Sequence, residues 1–159
     1  MNQKNEVSIT VNGQVHNLSV EPRRLLSDAL REDVRLTGTH TSCELGVCGV
    51  CSVVMNGKVV RSCLTLAVQA NGSIIETVES LNEEDQLHPL QQAFHENHAL
   101  QCGFCTPGFL ITLKALFDDH PAATDHEIDA ALDGVLCRCT GYQNIAKAAR
   151  QYRDTLQQN

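Results

Sequence analysis

Eight cysteines fall into two quartets along a chain of 159 residues. Cys43, Cys48 and Cys51 lie in the run CELGVCGVC, spaced C-x4-C-x2-C, and Cys63 follows after eleven intervening residues. The second quartet is two close pairs, Cys102 and Cys105 in QCGFCTPG, then Cys137 and Cys139 in LCRCTGY. Four thiolates are the ligand count of one iron–sulfur cluster or of one structural zinc ion. C-x4-C-x2-C with a distant fourth cysteine is the plant-type [2Fe–2S] spacing, whereas zinc favours two C-x2-4-C knuckles. The first quartet therefore reads as a cluster site, with structural zinc as the alternative. C-x2-C followed much later by C-x-C suits either group, and spacing alone does not choose.

The surroundings of the cysteines sharpen this. Gly46 and Gly49 flank Cys48, and glycine lets a loop turn its N–H groups inward toward the sulfurs of a centre. Val47 and Val50 are candidates to shield that centre from water. Cys105 precedes Thr106-Pro107, a pattern that opens a helix, and Cys139 precedes Thr140-Gly141 ahead of a last helix. A helix N-terminus offers unpaired N–H groups and a positive dipole end, which favour thiolates.

The positioning elements are legible from periodicity. Residues 7–20 alternate apolar and polar around Asn12-Gly13, and residues 52–61 do so around Asn56-Gly57. Both dipeptides supply the positive φ angles of a two-residue hairpin turn. A helix is expected over residues 22–31, with Pro22 in its first turn and Leu25, Leu26, Ala29 and Leu30 on one face. A last strand is expected near 73–77. From residue 83 the period becomes helical. Leu87, Leu90 and Phe94 mark one helix, and Phe109, Leu110, Leu113, Leu116 and Phe117 follow Pro107. Thr124 and Glu127 form a capping box before Ile128, and Ile145, Ala149 and Tyr152 mark a final helix. The expectation is an α+β chain: a small mixed sheet with one helix over residues 1–82, then a four-helix bundle over 83–159, linked through residues 79–85.

Composition excludes several functions. The formal charge is −7, with 7 basic and 8 acidic side chains in residues 1–82 and 5 and 11 in residues 83–159. No basic stripe exists, so no nucleic-acid partner is expected. No stretch approaches a membrane span. The N-terminal residues lack the apolar run of a signal peptide, and Arg23-Arg24 leads into an amphipathic pattern rather than a twin-arginine signal. The expected location is cytoplasmic, where thiols serve metals or catalysis more readily than disulfides. His88, His95 and His98 read as surface or packing residues, since both quartets are already complete.

CELGVCGVC, QCGFCTPG and LCRCTGY, in this order and spacing, resemble the small iron–sulfur subunit of the molybdenum hydroxylases, the xanthine oxidase family. The resemblance covers roughly residues 6–153. It implies a plant-type ferredoxin-like β-grasp domain at residues 1–82 and a helical domain at 83–159. It implies a [2Fe–2S] cluster on Cys43, Cys48, Cys51 and Cys63, and another on Cys102, Cys105, Cys137 and Cys139. The chain would relay electrons from a molybdenum–pyranopterin cofactor on a large subunit to FAD on a medium subunit, in a heterotrimer or its dimer. Gln101 matches the family glutamine that hydrogen-bonds the pterin, and Cys139 the cysteine closest to it. The chain would then be an oxidoreductase subunit that is not catalytic alone. A zinc-stabilised interaction module and a free-standing two-cluster ferredoxin are the competing readings.

Overall fold

The computed structural model describes residues 4–81 and 86–158. Strands β1 (Asn5–Val11) and β2 (Gln14–Val20) pair antiparallel. A short helix α1 (Leu26–Asp28) runs on into a π-helical turn, Ala29–Asp33. Strands β3 (Ser52–Met55) and β4 (Lys58–Arg61) form the second hairpin, and β5 (Ile74–Glu76) completes the sheet. The strand order is β2-β1-β5-β3-β4, with β5 parallel to β1 and antiparallel to β3. Four longer helices follow: α2 (Pro89–Glu96), α3 (Thr106–Asp119), α4 (Asp125–Asp133) and α5 (Gln143–Leu156).

Both Asn-Gly turns take left-handed φ at each residue, 48° and 81° at Asn12-Gly13, 51° and 77° at Asn56-Gly57. The asparagines do more than turn. Asn12 accepts from the Thr77 N–H and donates to the Thr77 hydroxyl. Asn56 accepts from the Ile74 N–H and donates to the Ser73 hydroxyl. Each hairpin tip thus pins one end of β5 in the centre of the sheet. Such side-chain bonds to local backbone are what Asn offers in turns.

The first helix departs from expectation. It begins at Leu26, because residues 21–24 form a turn and Leu25 stays extended in a bridge to Leu66. Pro22 therefore lies outside the helix. Arg24 instead crosses to Glu32 and Asp33 at 2.6 and 3.2 Å. The apolar periodicity still found the buried face, since Leu26, Ala29 and Leu30 are fully buried. In the helical half, Pro107 occupies the first turn of α3 and Thr124 and Glu127 close a capping box on α4, whereas Leu87, expected on the apolar face of the preceding helix, lies ahead of α2 and is exposed. His88 caps α2, accepting from the Leu90 N–H.

Two cores result. One joins Val7, Ile9, Val11, Leu26, Leu30, Val53 and Ile75 between sheet and α1. The other joins Leu90, Phe94, Phe109, Leu113, Ile128 and Ile145 among the helices, and it takes in Cys48, Val50 and Leu81 from the N-terminal half. The boundary expected at 82/83 lies outside the described residues. Ahead of it, the expected linker is partly built structure: Val78–Leu81 is a 3-10 turn whose Glu79 accepts from the Gly38 N–H and the Thr77 hydroxyl. Lys114 on α3 bridges Glu76 at 2.9 Å and Asp118 at 2.6 Å, tying helix to sheet.

Candidate metal centres

The loop between α1 and β3 carries Cys43, Cys48 and Cys51, and the turn after β4 returns Cys63 to them. Cys48, Cys51 and Cys63 are buried, while Cys43 is half-buried. Cys43 and Cys48 touch as one thiol pair, and Cys51 and Cys63 as another. Gly46 at φ 76° sets its N–H toward Cys63, and the N–H groups of Cys48 and Leu45 both reach the Cys43 sulfur at 3.4 Å. Those inward N–H groups bring the Cys43 thiol down to about 6, the direction that favours a thiolate ligand. Burial acts the other way on Cys63, pushed up to about 11.

The second quartet converges at the N-terminus of α3, where Cys105 is the N-cap. Its thiols pair crosswise to their order in the sequence: the Cys102 and Cys139 sulfurs lie 3.6 Å apart, and Cys105 meets Cys137. Burial pushes Cys105 up to about 12. Burial also acts to raise Cys137, but the Thr140 hydroxyl at 3.1 Å and N–H at 3.4 Å outweigh it and hold the thiol below its ordinary range. Thr140 thus does what a helix end was expected to do. Helix α5 starts only at Gln143, four residues beyond Cys139, because Tyr142 takes φ 67° as its N-cap. Tyr142 in turn accepts the Cys137 N–H at 2.7 Å and packs edge-on against Phe109.

Between the two sites the loops interlock. Leu136 donates its N–H to the Cys48 carbonyl at 2.8 Å. His40 stacks on Phe104 at 4.8 Å and bonds its carbonyl through Nδ1 at 2.8 Å. A recess of about 510 Å³ is lined by Cys48, Val50, Cys102, Cys105, Cys137 and Cys139 among others, so both quartets border it. Val50 is buried there as expected, but Val47 is not a shield: it is 66% exposed, beside Leu45 at 75% and Leu64 at 59%. A second apolar patch, Leu100, Phe104 and Leu136, 42% to 50% exposed, surrounds the second quartet. Gln101 and Cys139 both lie at the surface in that patch.

Among the described residues no three His, Cys, Asp or Glu side chains gather as ligands of a single ion. The sulfurs come in touching pairs, two pairs per quartet, and a dinuclear cluster takes two thiolates on each iron. Inward N–H groups and buried walls complete a setting suited to such an anionic group, whose binding displaces the protons of the buried thiols.

The arrangement defines a class, a two-module [2Fe–2S] protein. The family described as "2Fe-2S iron-sulfur cluster binding domain" matches residues 9–87, and that described as "[2Fe-2S] binding domain" matches residues 77–150. The chain is 57% identical over 143 residues, 89% of each chain, to the 6-hydroxypseudooxynicotine dehydrogenase complex subunit beta of Paenarthrobacter nicotinovorans. It is 54% identical over 152 residues to the caffeine dehydrogenase subunit gamma of Pseudomonas sp. (strain CBB1), covering 94% of this chain and 91% of the relative. The crystal structure of quinoline 2-oxidoreductase from Pseudomonas putida 86 superposes with a TM-score of 0.93 at 46% identity, over 99% of this chain and 98% of that one. The chain belongs to the small iron–sulfur subunits of the molybdenum hydroxylases, and its role is electron transfer within an oxidoreductase complex. No helix among the described residues is long and apolar enough to cross a membrane.

Proposed function

We propose that this chain relays electrons between a molybdenum–pyranopterin subunit and a FAD subunit, in a cytoplasmic heterotrimer or its dimer. Cys102, Cys105, Cys137 and Cys139 hold the cluster on the pterin side, within a four-helix bundle spanning 83–159. Cys43, Cys48, Cys51 and Cys63 hold the cluster on the flavin side, within a β-grasp module spanning 1–82. When bound, the two clusters supply one-electron redox chemistry, and the protein positions and tunes them. The observation that carries this reading is the pair of exposed apolar patches, one over each quartet. Apolar surface left open beside a redox centre suits a partner that must approach closely. Leu100, Phe104 and Leu136 would meet the large subunit, and Leu45, Val47 and Leu64 the flavin subunit. The relatives are named for 6-hydroxypseudooxynicotine, caffeine and quinoline, and we assign the partner's substrate to the same class of aromatic N-heterocycles.

Native purification tests this reading. A complex containing molybdenum and flavin is expected to accompany the chain, whereas a monomeric holo-protein that reduces soluble acceptors would make it a free ferredoxin. Gln101 and Cys139 supply the pterin contact in this account. Gln101→Ala should keep both clusters and slow electron entry from the pterin by about ten- to hundredfold, the scale of lost outer contacts at a metal site. Rapid-reaction reduction of the complex by substrate reads this directly, and an unchanged rate would remove Gln101 from the route.

A further inference from the structure

We propose that Arg61 is a positioning residue that locks the two cluster loops in register, and so sets the electronic contact between the centres. This rests on the assignment of the two quartets as cluster ligands. Arg61 ends β4, two residues before Cys63. Its Nη1 donates to the Ser52 hydroxyl at 2.6 Å, and Ser52, the residue after Cys51, donates onward to the Gly49 carbonyl at 2.5 Å. Its Nη2 donates to the Gly134 carbonyl at 2.7 Å, three residues before Cys137. One planar guanidinium therefore grips the loop of the first quartet and the loop of the second. Lysine cannot hold two divergent acceptors in that fixed fork.

What the grip protects is a short connection. The Cys48 carbonyl and the Leu136 N–H meet at 2.8 Å, and Leu136 is bonded directly to Cys137. From a ligand of one centre to a ligand of the other, the path crosses a single hydrogen bond. Its two sides belong to loops that no covalent neighbour holds together. Besides Arg61, the seam is set by the contact of Gly49 with Gly134 and by Gly108, whose missing Cβ would lie 2.9 Å from the Gly49 carbonyl. Among the described residues Arg61 meets no carboxylate, so its charge is directed at the seam. The Gly134 carbonyl lies at the C-terminal end of α4, where a cation is favoured by the helix dipole. The transfer served by this contact moves one electron. With clusters bound, the Cys102/Cys105/Cys137/Cys139 centre would lose that electron and the Cys43/Cys48/Cys51/Cys63 centre would gain it, with no bond or proton change in the chain.

The test uses the holo-complex carrying Arg61→Ala or Arg61→Lys. In the fully reduced protein, the magnetic splitting between the two paramagnetic signals reports how closely the centres communicate, independently of turnover. Iron content and the presence of both signals test the cluster assignment itself, and their loss from wild-type protein would defeat that assignment rather than the role of Arg61. Arg61→Ala is expected to keep both signals, weaken the splitting and slow intercluster transfer severalfold. Arg61→Lys should recover the charge but not the splitting. Where Arg61→Ala fails to load iron, Arg61→Lys carries the decision. If loaded Arg61→Lys or Arg61→Ala shows wild-type splitting and transfer with only a lower Tm, Arg61 merely caps α4 and the proposal is overturned.

Discussion

Gly49→Ala is expected to dislodge both metal centres at once. Gly49 holds φ 70°, a left-handed conformation, between Cys48 and Cys51. A Cβ there would strike the Gly134 carbonyl oxygen and lie 3.1 Å from Gly134 C and Val135 Cα, all backbone atoms with no freedom to swing away. The left-handed conformation costs about 1–2 kcal/mol for an L side chain. Forcing a methyl into a packed interior costs about 1–3 kcal/mol more. A total of roughly 2–5 kcal/mol should lower Tm by about 5–15 °C in a chain of this size. The larger effect is chemical. Relief of the clash must push the first loop away from residues 134–137, breaking the Leu136–Cys48 hydrogen bond and moving Cys137 with it. Iron analysis should show loss from both centres, although the substitution lies in only one loop. Full iron content and a wild-type Tm in Gly49→Ala would mean that the loops are not interlocked as described.

Cysteine replacement should separate the two centres as sharply as Gly49→Ala joins them. Cys43 sits with Cys48, while Cys102 sits with Cys139 in the other quartet. Cys43→Ser and Cys102→Ser should therefore each abolish or displace a different paramagnetic signal of the reduced protein and leave the other in place. Iron would fall toward about two per chain in each variant if the affected cluster is lost. The crosswise pairing adds a finer expectation: Cys139→Ser should perturb the same signal as Cys102→Ser. Loss of one common signal from Cys43→Ser and Cys102→Ser would show that the quartets are divided wrongly. The consequences for folding should also differ. Cys51 and Cys63 are closed in beside β3 and β4, whereas Cys102 and Cys139 lie at the surface, so serine is better tolerated at the latter pair.

Much of this architecture was legible because it rests on local signals. Asn-Gly pairs dictate their own turns, Pro107 suits a first helical turn, and the Thr124/Glu127 box satisfies its own helix end. Apolar periodicity found Phe109, Leu113, Ile128 and Ile145, all fully buried. The quartets stand out for a different reason: eight cysteines in two such spacings point to two sets of four thiolate ligands. What the sequence hid are contacts between distant segments. Arg61 reads as the polar end of a strand until Gly134 is found beside it. Gly49 reads as a loop residue with conformational freedom, while its lack of a side chain matters as much, because another backbone occupies that space. Val47 looked like a shield because it is apolar and next to a ligand. The bends of the loop leave it in solvent with Leu45, and only from Cys48 onward does the chain turn inward, burying Val50 in the helical core. The start of α1 was misplaced because Leu25 has the right period for a helix yet is held extended by Leu66, a partner that periodicity cannot reveal.

The central claim is that each quartet holds a dinuclear iron–sulfur cluster. Iron, acid-labile sulfide and zinc should be measured together in protein matured with an intact iron–sulfur assembly system. About four iron and four acid-labile sulfide per chain are expected, without stoichiometric zinc. Stoichiometric zinc with little sulfide would contradict it and make the chain a zinc-stabilised interaction module.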